Sequence, residues 1–457
     1  MTHTVSFIAV IAFAASAVVS PSPAASGPVG APEGWKTAAP RDEIKPLFSY
    51  EPKAGRSAHG AFVIAADGRE GLDGYWFRSF SVEGGKYYSF LAYRKTTGVA
   101  VPRQSALVRI KWLDDRGEEV KDDRKLVERY LNNFNATAPP EFPTDKQTDA
   151  AGWTEVSDTH QAPGGARQAV VELHLQWAPK GRILWSDVSF TAVSPPSPRK
   201  VRLASIHFRP REGKSPERNR RLFAPLIEEA ARRGADLVVL PETLTFYGTG
   251  KTFAEVAEPV PGPSTEYFGE LAKKHNLYIV AGLVERNGHL VHNVAALLAP
   301  DGSLAGKYRK ITLPDGEVEA GIAPGHEYPV FQTRFGKLGI MICYDGFFPE
   351  VARELTKRGA EVIAWPVWGC NPELARARAA ENHTYLVSST YEDISSNWML
   401  TAVWDHAGRT IASAKDFGTV ILAEVDLNEH TRWRSLGDFR SKIPRHAPVV
   451  PPEQAGK

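Results

Sequence analysis

A glutamate, a lysine and a cysteine, each placed where an apolar run ends, are the residues of this chain best set to do chemistry. Glu242 closes Leu237-Val238-Val239-Leu240-Pro241-Glu242, Lys310 closes Lys307-Tyr308-Arg309-Lys310, and Cys343 follows Gly339-Ile340-Met341-Ile342. A buried strand that ends in a single charged or thiol side chain holds that group rigidly at a sheet edge. A thiol attacks well at neutral pH only as thiolate, so it needs a base and a cation nearby, and a carboxylate with a lysine supplies both. Asp345-Gly346-Phe347-Phe348-Pro349-Glu350 follows the cysteine and opens a helix at Val351. That places the thiol near a helix N-terminus, where thiolate is favoured, and makes the Tyr344 N–H a candidate oxyanion donor. Lys307 and Arg309 are weaker candidates beside Lys310.

On these three blocks, in the order Glu, Lys, Cys, roughly residues 200 to 430 resemble the carbon–nitrogen hydrolase (nitrilase) superfamily of amidases, carbamoylases and nitrilases. The resemblance implies that Glu242 is general base, that Lys310 stabilises the oxyanion, that Cys343 forms a thioester, and that a second glutamate between Lys310 and Cys343 completes the site. Two glutamates compete for that place, Glu317 and Glu319, and two residues apart in an extended segment would point the same way. Glu319 is preferred because it lies closer to Pro324-Gly325, the pair that follows the second glutamate in the family. Cys343-Tyr344-Asp345 is more similar to the amidase and carbamoylase branches than to true nitrilases, which show Cys-Trp-Glu. The implied substrate is therefore a small amide or N-carbamoyl compound, with nitrile hydrolysis the alternative. All the implied steps use side chains, so no cofactor and no metal are expected. The family also implies a homodimer or higher homo-oligomer, and an α/β fold in which two sheets pack face to face as a four-layer α-β-β-α sandwich. Thr245 to Thr252, Trp368 to Pro372 and Tyr391 to Trp398 are the expected walls of the substrate pocket, and among them Trp368 is singled out for substrate binding, although it could equally be core.

The elements that must position these groups alternate strand and helix. Val201 to Phe208 reads as a strand, Leu222, Phe223, Leu226, Ile227, Ala230 and Ala231 recur at helical spacing, and Gly234 stops the helix before Leu237. Arg233-Gly-Ala-Asp-Leu-Val-Val-Leu-Pro241 is echoed by Arg358-Gly-Ala-Glu-Val-Ile-Ala-Trp-Pro366, which predicts internal pseudo-symmetry.

At 457 residues the chain exceeds the usual single-domain size. We expect a signal peptide over 1–26, a Pro-rich linker over 27–55, an all-β sandwich of jelly-roll type over 56–193, a Pro-rich linker over 194–199 and the catalytic domain over 200–457. The apolar run Val5 to Val19 followed by Pro23-Ala24-Ala25-Ser26 predicts a secreted or periplasmic protein, with an N-terminal membrane anchor as the alternative. Tyr75 to Val82, Tyr87 to Tyr93, Ala106 to Leu113, Ala169 to Trp177 and Ile183 to Phe190 mix alternation with aromatic and β-branched residues, as strands do. Aromatics there suit either a core or contact with a glycan.

With 42% hydrophobic and 24% charged residues and a formal net charge of +2, nothing points to a nucleic-acid partner or a disordered chain. Cys343 and Cys370 are the two cysteines of the sequence; bridging them would remove the nucleophile, so Cys370 is expected to be a buried thiol. His289 and His292 lack further ligands nearby, and the sequon Asn135-Ala136-Thr137 has meaning only in a host that glycosylates it. A binding protein with a vestigial hydrolase domain is the competing reading from another class.

Overall fold

The computed structural model describes residues 28–449 apart from 125, 128–136, 397 and 434–435. The expected signal peptide and Asn135 of the sequon lie outside the described residues.

Residues 36–193 build two antiparallel sheets. One has the order Lys36–Ala38, Asp73–Ser81, Gln168–Gln176, Val108–Leu113, and the other Leu47–Glu51, Ala61–Ala65, Arg182–Val193, Tyr87–Thr97, Thr154–Gln161, Thr144–Thr148. Alternate residues of these strands meet in one core, where Trp76, Trp112 and Trp185 are buried, while Trp177 stands out from the end of a strand. The stretch 27–55 was expected to be linker, and the structure corrects this: Lys36 pairs with Phe77 and Leu47 with Ala65. Both strands are outermost in their sheets, the place where neighbouring prolines cost no ladder hydrogen bond, so a Pro-rich composition hid them.

From Lys200 onward the chain forms two six-stranded sheets. In the first the order is Leu304–Arg309, Leu290–Leu298, Tyr278–Asn287, Leu237–Val239, Lys200–His207, Thr419–Asp426; in the second it is Val330–Gln332, Lys337–Ile340, Val362–Pro366, Tyr385–Ser389, Ala402–Trp404, Thr410–Ser413. Each has three parallel strands at its centre. Such strands are buried on both faces and so read as unbroken apolar runs. Leu203, Leu237 and Val239 point into a core shared with Ile340, Ile363, Trp365 and Val387 of the other sheet, while Ile206, Val238 and Leu240 point to the opposite side, against Ile227 and Phe268 of helices Ala224–Arg232 and Pro263–His275. Helices Pro349–Lys357 and Pro372–Asn382 bury Val351, Leu355, Ala375 and Ala379 in the shared core.

The internal repeat is visible in detail. Helices Ala224–Arg232 and Pro349–Lys357 end at Gly234 (φ 77°) and Gly359 (φ 100°), and each then feeds a central parallel strand. A positive φ at that position is what glycine allows without a Cβ clash.

Candidate active site

Glu242, Lys310 and Cys343 each follow directly on, or within three residues of, a strand end, at Val239, Arg309 and Ile340. The turn after Glu242 is tight. Thr243 adopts φ 42° and Cys343 itself φ 40°, two non-glycine residues held in the left-handed region at the two reacting groups. The Glu242 turn lies flat on the neighbouring strand at Gly282, where a Cβ would come within 2.4 Å of the Pro241 carbonyl oxygen and 2.6 Å of the Glu242 Cα.

Glu242 is 2% exposed and both oxygens of its carboxylate are bonded. Oε1 accepts from Lys310 Nζ at 2.8 Å and from Asn293 Nδ2 at 2.7 Å, and Oε2 accepts from the Trp368 backbone N–H at 2.7 Å. The next residue, Gly369, accepts the Cys343 thiol proton on its carbonyl at 3.2 Å. Two consecutive residues therefore tie the base to the nucleophile. Tyr391 adds a hydrogen bond from its hydroxyl to the Glu242 carbonyl at 2.7 Å.

The second carboxylate on Lys310 belongs to Glu317, not Glu319. Glu317 Oε1 accepts from Lys310 Nζ at 2.6 Å and from Asn293 Nδ2 at 3.1 Å, whereas Glu319 is exposed. The segment expected to be extended is a short helix, Asp315–Glu319. Two residues along a helix turn a side chain by about 200°, so the two glutamates face opposite ways. Lys307 and Arg309 are spoken for elsewhere: both bind Glu285, at 2.5 and 2.7 Å.

Asn293 escaped the sequence reading. It sits in Leu290–Leu298, buried, and its amide bridges the two carboxylates. The available signal was an amide, neither charged nor in a turn, inside a buried strand whose other residues apart from His292 are apolar.

Burial, reinforced by the Glu242 charge, pushes the Cys343 thiol well above its ordinary range, and Lys310 pulls it only part of the way back. This corrects the expectation of a helix-favoured thiolate. A 3-10 turn, Cys343–Phe347, separates the cysteine from helix Pro349–Lys357. The resting nucleophile is thus a protonated thiol that needs a base. Burial works against the charge on Lys310, but the neighbouring carboxylates, Glu242 foremost, outweigh it and raise the lysine above its usual value, so it stays a cation. Burial, then the Glu242 charge, also raises Glu317, against the pull of Lys310.

Asp345 anchors the cysteine turn. It is buried and accepts from Thr312 N at 2.9 Å, Thr312 Oγ1 at 2.6 Å, Tyr308 Oη at 2.7 Å and Ile342 N at 2.9 Å, so one carboxyl fastens the lysine segment to the thiol segment. Tyr344, beside the thiol, is half-buried, and Trp368 is 37% exposed rather than core. Cys370 is fully buried and unpaired, its thiol pushed up to about 12 by burial. His292 Nδ1 bonds the Ala323 carbonyl at 2.8 Å and His289 is exposed.

The family model for carbon–nitrogen hydrolases matches residues 202–435. Over 272 residues the chain is 35% identical to the omega-amidase NIT2 of Xenopus tropicalis, covering 54% of this chain and 93% of that protein. It is 39% identical over 200 residues to a nitrilase of Pyrococcus abyssi, covering 41% and 74%. Among solved structures, Nit3 of Saccharomyces cerevisiae is 25% identical, covering 56% of this chain and 96% of that one, with a TM-score of 0.44. The matched span contains the whole cluster built from Glu242, Asn293, Lys310, Glu317 and Cys343, and this chain belongs to the carbon–nitrogen hydrolase family.

Proposed function

We propose that this protein hydrolyses a small amide through a thioester on Cys343, releasing ammonia or an amine. The observation that carries the reading is the pair Trp368–Gly369, which fastens Glu242 at 2.7 Å and the thiol at 3.2 Å in one unit. Glu242 takes the thiol proton as sulfur attacks the carbonyl carbon. Lys310 and the Tyr344 N–H stabilise the oxyanion, Glu317 and Asn293 hold the lysine and base in register, and Glu242 returns the proton to the departing nitrogen. Water then loses a proton to Glu242 and attacks the thioester; the acid is freed as the C–S bond breaks, and Glu242 passes the proton to the Cys343 sulfur.

The names of the relatives, omega-amidase and nitrilase, make amides and nitriles the two substrate classes to weigh. The Cys343-Tyr344-Asp345 sequence favours an amide or N-carbamoyl group. A vestigial domain is the weaker reading, because burying two carboxylates with a lysine costs desolvation, a cost that a domain without activity has no reason to retain. In the same proposal, residues 200–457 form a catalytic four-layer α-β-β-α sandwich, and the two N-terminal sheets over 36–193 form a jelly-roll accessory domain. Export rests on Val5 to Val19, and a homodimer on the family.

A panel of amides, carbamoyl compounds and nitriles assayed for ammonia tests the reading. Wild type should release ammonia from amides, with an acyl-enzyme seen by intact mass, and Cys343→Ala should do neither. Full turnover by folded Cys343→Ala would dismiss the mechanism.

A further inference from the structure

Around the thiol the protein changes abruptly from buried charge to exposed aromatic surface. The side chains of Lys310, Glu242 and Glu317 are 0%, 3% and 11% exposed, while Trp368, Trp398 and Phe347 are 37%, 40% and 37% exposed. Soluble proteins rarely leave large apolar side chains clustered in water without a ligand to cover them.

Each of these rings is tied to a reacting group. Trp368 gives its backbone N–H to Glu242, and its indole is braced by Tyr247 at 5.1 Å. Trp398 lies against Gly369, where a Cβ would be 1.9 Å from the indole Nε1; that same Gly369 carbonyl holds the Cys343 proton. Phe347 stands four residues beyond the cysteine, 6.5 Å from Trp398 and 5.3 Å from Tyr344. Two aromatic groups thus adjoin the glycine that touches the nucleophile, Trp368 as its neighbour in the chain and Trp398, with Phe347, by packing. Trp368 and Trp398 stand on loops and Phe347 ends the 3-10 turn of the cysteine, so none of them belongs to the sheet core.

Two arginines touch these loops, and each is drawn to backbone carbonyls there. Arg378 is 5% exposed and donates to the Gly346 carbonyl at 3.1 Å, the Phe347 carbonyl at 3.4 Å and Glu381 at 2.9 Å. Arg209 bonds the Tyr391 carbonyl and lies over Phe417 at 4.4 Å. An acyl chain ending in a carboxylate would gain no free guanidinium nitrogen from Arg378, and Arg209 faces it with its Nε already given to a carbonyl and its plane laid on Phe417. On the other side of the thiol, the proton for the leaving nitrogen comes from Glu242, whose carboxylate is sunk beneath three donors. That side suits a small leaving group.

We propose that the site is specific for primary amides of acids that carry an aromatic ring, the ring lying between Trp368 and the Trp398–Phe347 wall. This rests on the amidase reading given above. The balance is simple: the Cys343 sulfur bonds to the acyl carbon, the C–N bond breaks, the thiol proton leaves on ammonia through Glu242, and one water completes the free acid.

Ammonia release from phenylacetamide, propionamide and succinamate by the full-length protein tests the proposal. Phenylacetamide should exceed both others in kcat/KM by at least about tenfold, as ring-on-ring contact plus burial of a phenyl group would give. In Trp398→Ala and Phe347→Leu the phenylacetamide-to-propionamide ratio should fall by about tenfold, mostly through KM, and Trp398→Phe should recover most of it. Phenylacetamide should also quench tryptophan fluorescence of Cys343→Ala, a readout that needs no turnover. A wild-type preference for propionamide or succinamate, or a ratio unchanged in both wall variants, overturns the ring specificity while leaving amide hydrolysis standing. No ammonia from any amide overturns both.

Discussion

Replacing Glu317 by glutamine removes one negative charge beside Lys310 and keeps the side-chain size. Glu317 Oε1 lies 2.6 Å from Lys310 Nζ, and the lysine side chain is fully buried. A hydrogen bond involving charged groups contributes about 1.5–3 kcal/mol net. At 1.36 kcal/mol per decade, losing that hold on the lysine as the oxyanion forms slows acylation roughly 10- to 150-fold. The amide oxygen of glutamine still accepts from Nζ, which sets the lower end. Stability should respond differently. Burial and the neighbouring Glu242 raise the Glu317 pKa, so its charged form is the disfavoured one and a neutral side chain relieves repulsion. Thermal melts of Glu317→Gln should therefore stay close to wild type while single-turnover thioester formation falls. Glu319→Gln alters an exposed side chain and should remain within about twofold of wild type. A slow Glu319→Gln beside a normal Glu317→Gln would refute the assignment, and a rate loss in Glu317→Gln matched by unfolding would refute the argument from charge.

Because burial raises the Cys343 pKa above its ordinary 9.0, its alkylation by iodoacetamide should keep accelerating through pH 9 with no plateau at neutral pH; an early plateau would restore the thiolate expectation. Cys370→Ser should retain most activity where Cys343→Ala has none, and equal losses in two folded variants would mean the nucleophile is misassigned. Gly282→Ala forces a Cβ onto the backbone of Pro241 and Glu242 and should cost about 1–3 kcal/mol together with most of the activity; a wild-type melt and rate would show that the turn yields freely. Glu141 is 1% exposed between Arg124 and Arg432, which overcome the cost of its burial and hold its pKa at about 2, against an ordinary 4.5. Its depressed pKa means stability present above pH 4.5 and lost as pH falls toward 2, about 3 kcal/mol in all. The melting gap between wild type and Glu141→Gln should accordingly close over that interval, and a gap independent of pH would count against the ion pair.

The groups that sequence could place were those announced by a change of pattern. An apolar run ending in Glu242 or Cys343 is a local signal, and so is a helix stopped by Gly234 before a strand. Glu317 was not recoverable in the same way. Choosing it over Glu319 depends on whether five residues are extended or helical, and Asp315–Glu319 is too short for periodicity to declare itself. Asn293 required knowing that the strand Leu290–Leu298 runs beside both carboxylates, a fact of sheet order rather than of spacing. The thiol misled for a related reason: the turn was legible, but the burial that dominates its acidity comes from residues distant in sequence.

Domain boundaries show the same division between local and distant information. No strand crosses Ser194-Pro195-Pro196-Ser197-Pro198, but one small sheet draws its strands from both sides of it. It is a boundary of the chain without being a boundary of packing. Arg432–Trp433, far beyond the seam, pairs in parallel with Leu126–Val127, and Arg432 donates to the buried Glu141 at 2.8 Å. Trp433 donates to His383 at 2.5 Å, at the end of helix Pro372–Asn382, and Arg378 within that helix holds the Gly346 and Phe347 carbonyls of the cysteine turn. Contacts therefore run unbroken from the N-terminal sheets to the turn that carries Cys343. A segment cut at residue 200 would keep every reacting group and yet strand the Arg432 guanidinium without its carboxylate, a loss that falls on the support of the site rather than on its chemistry.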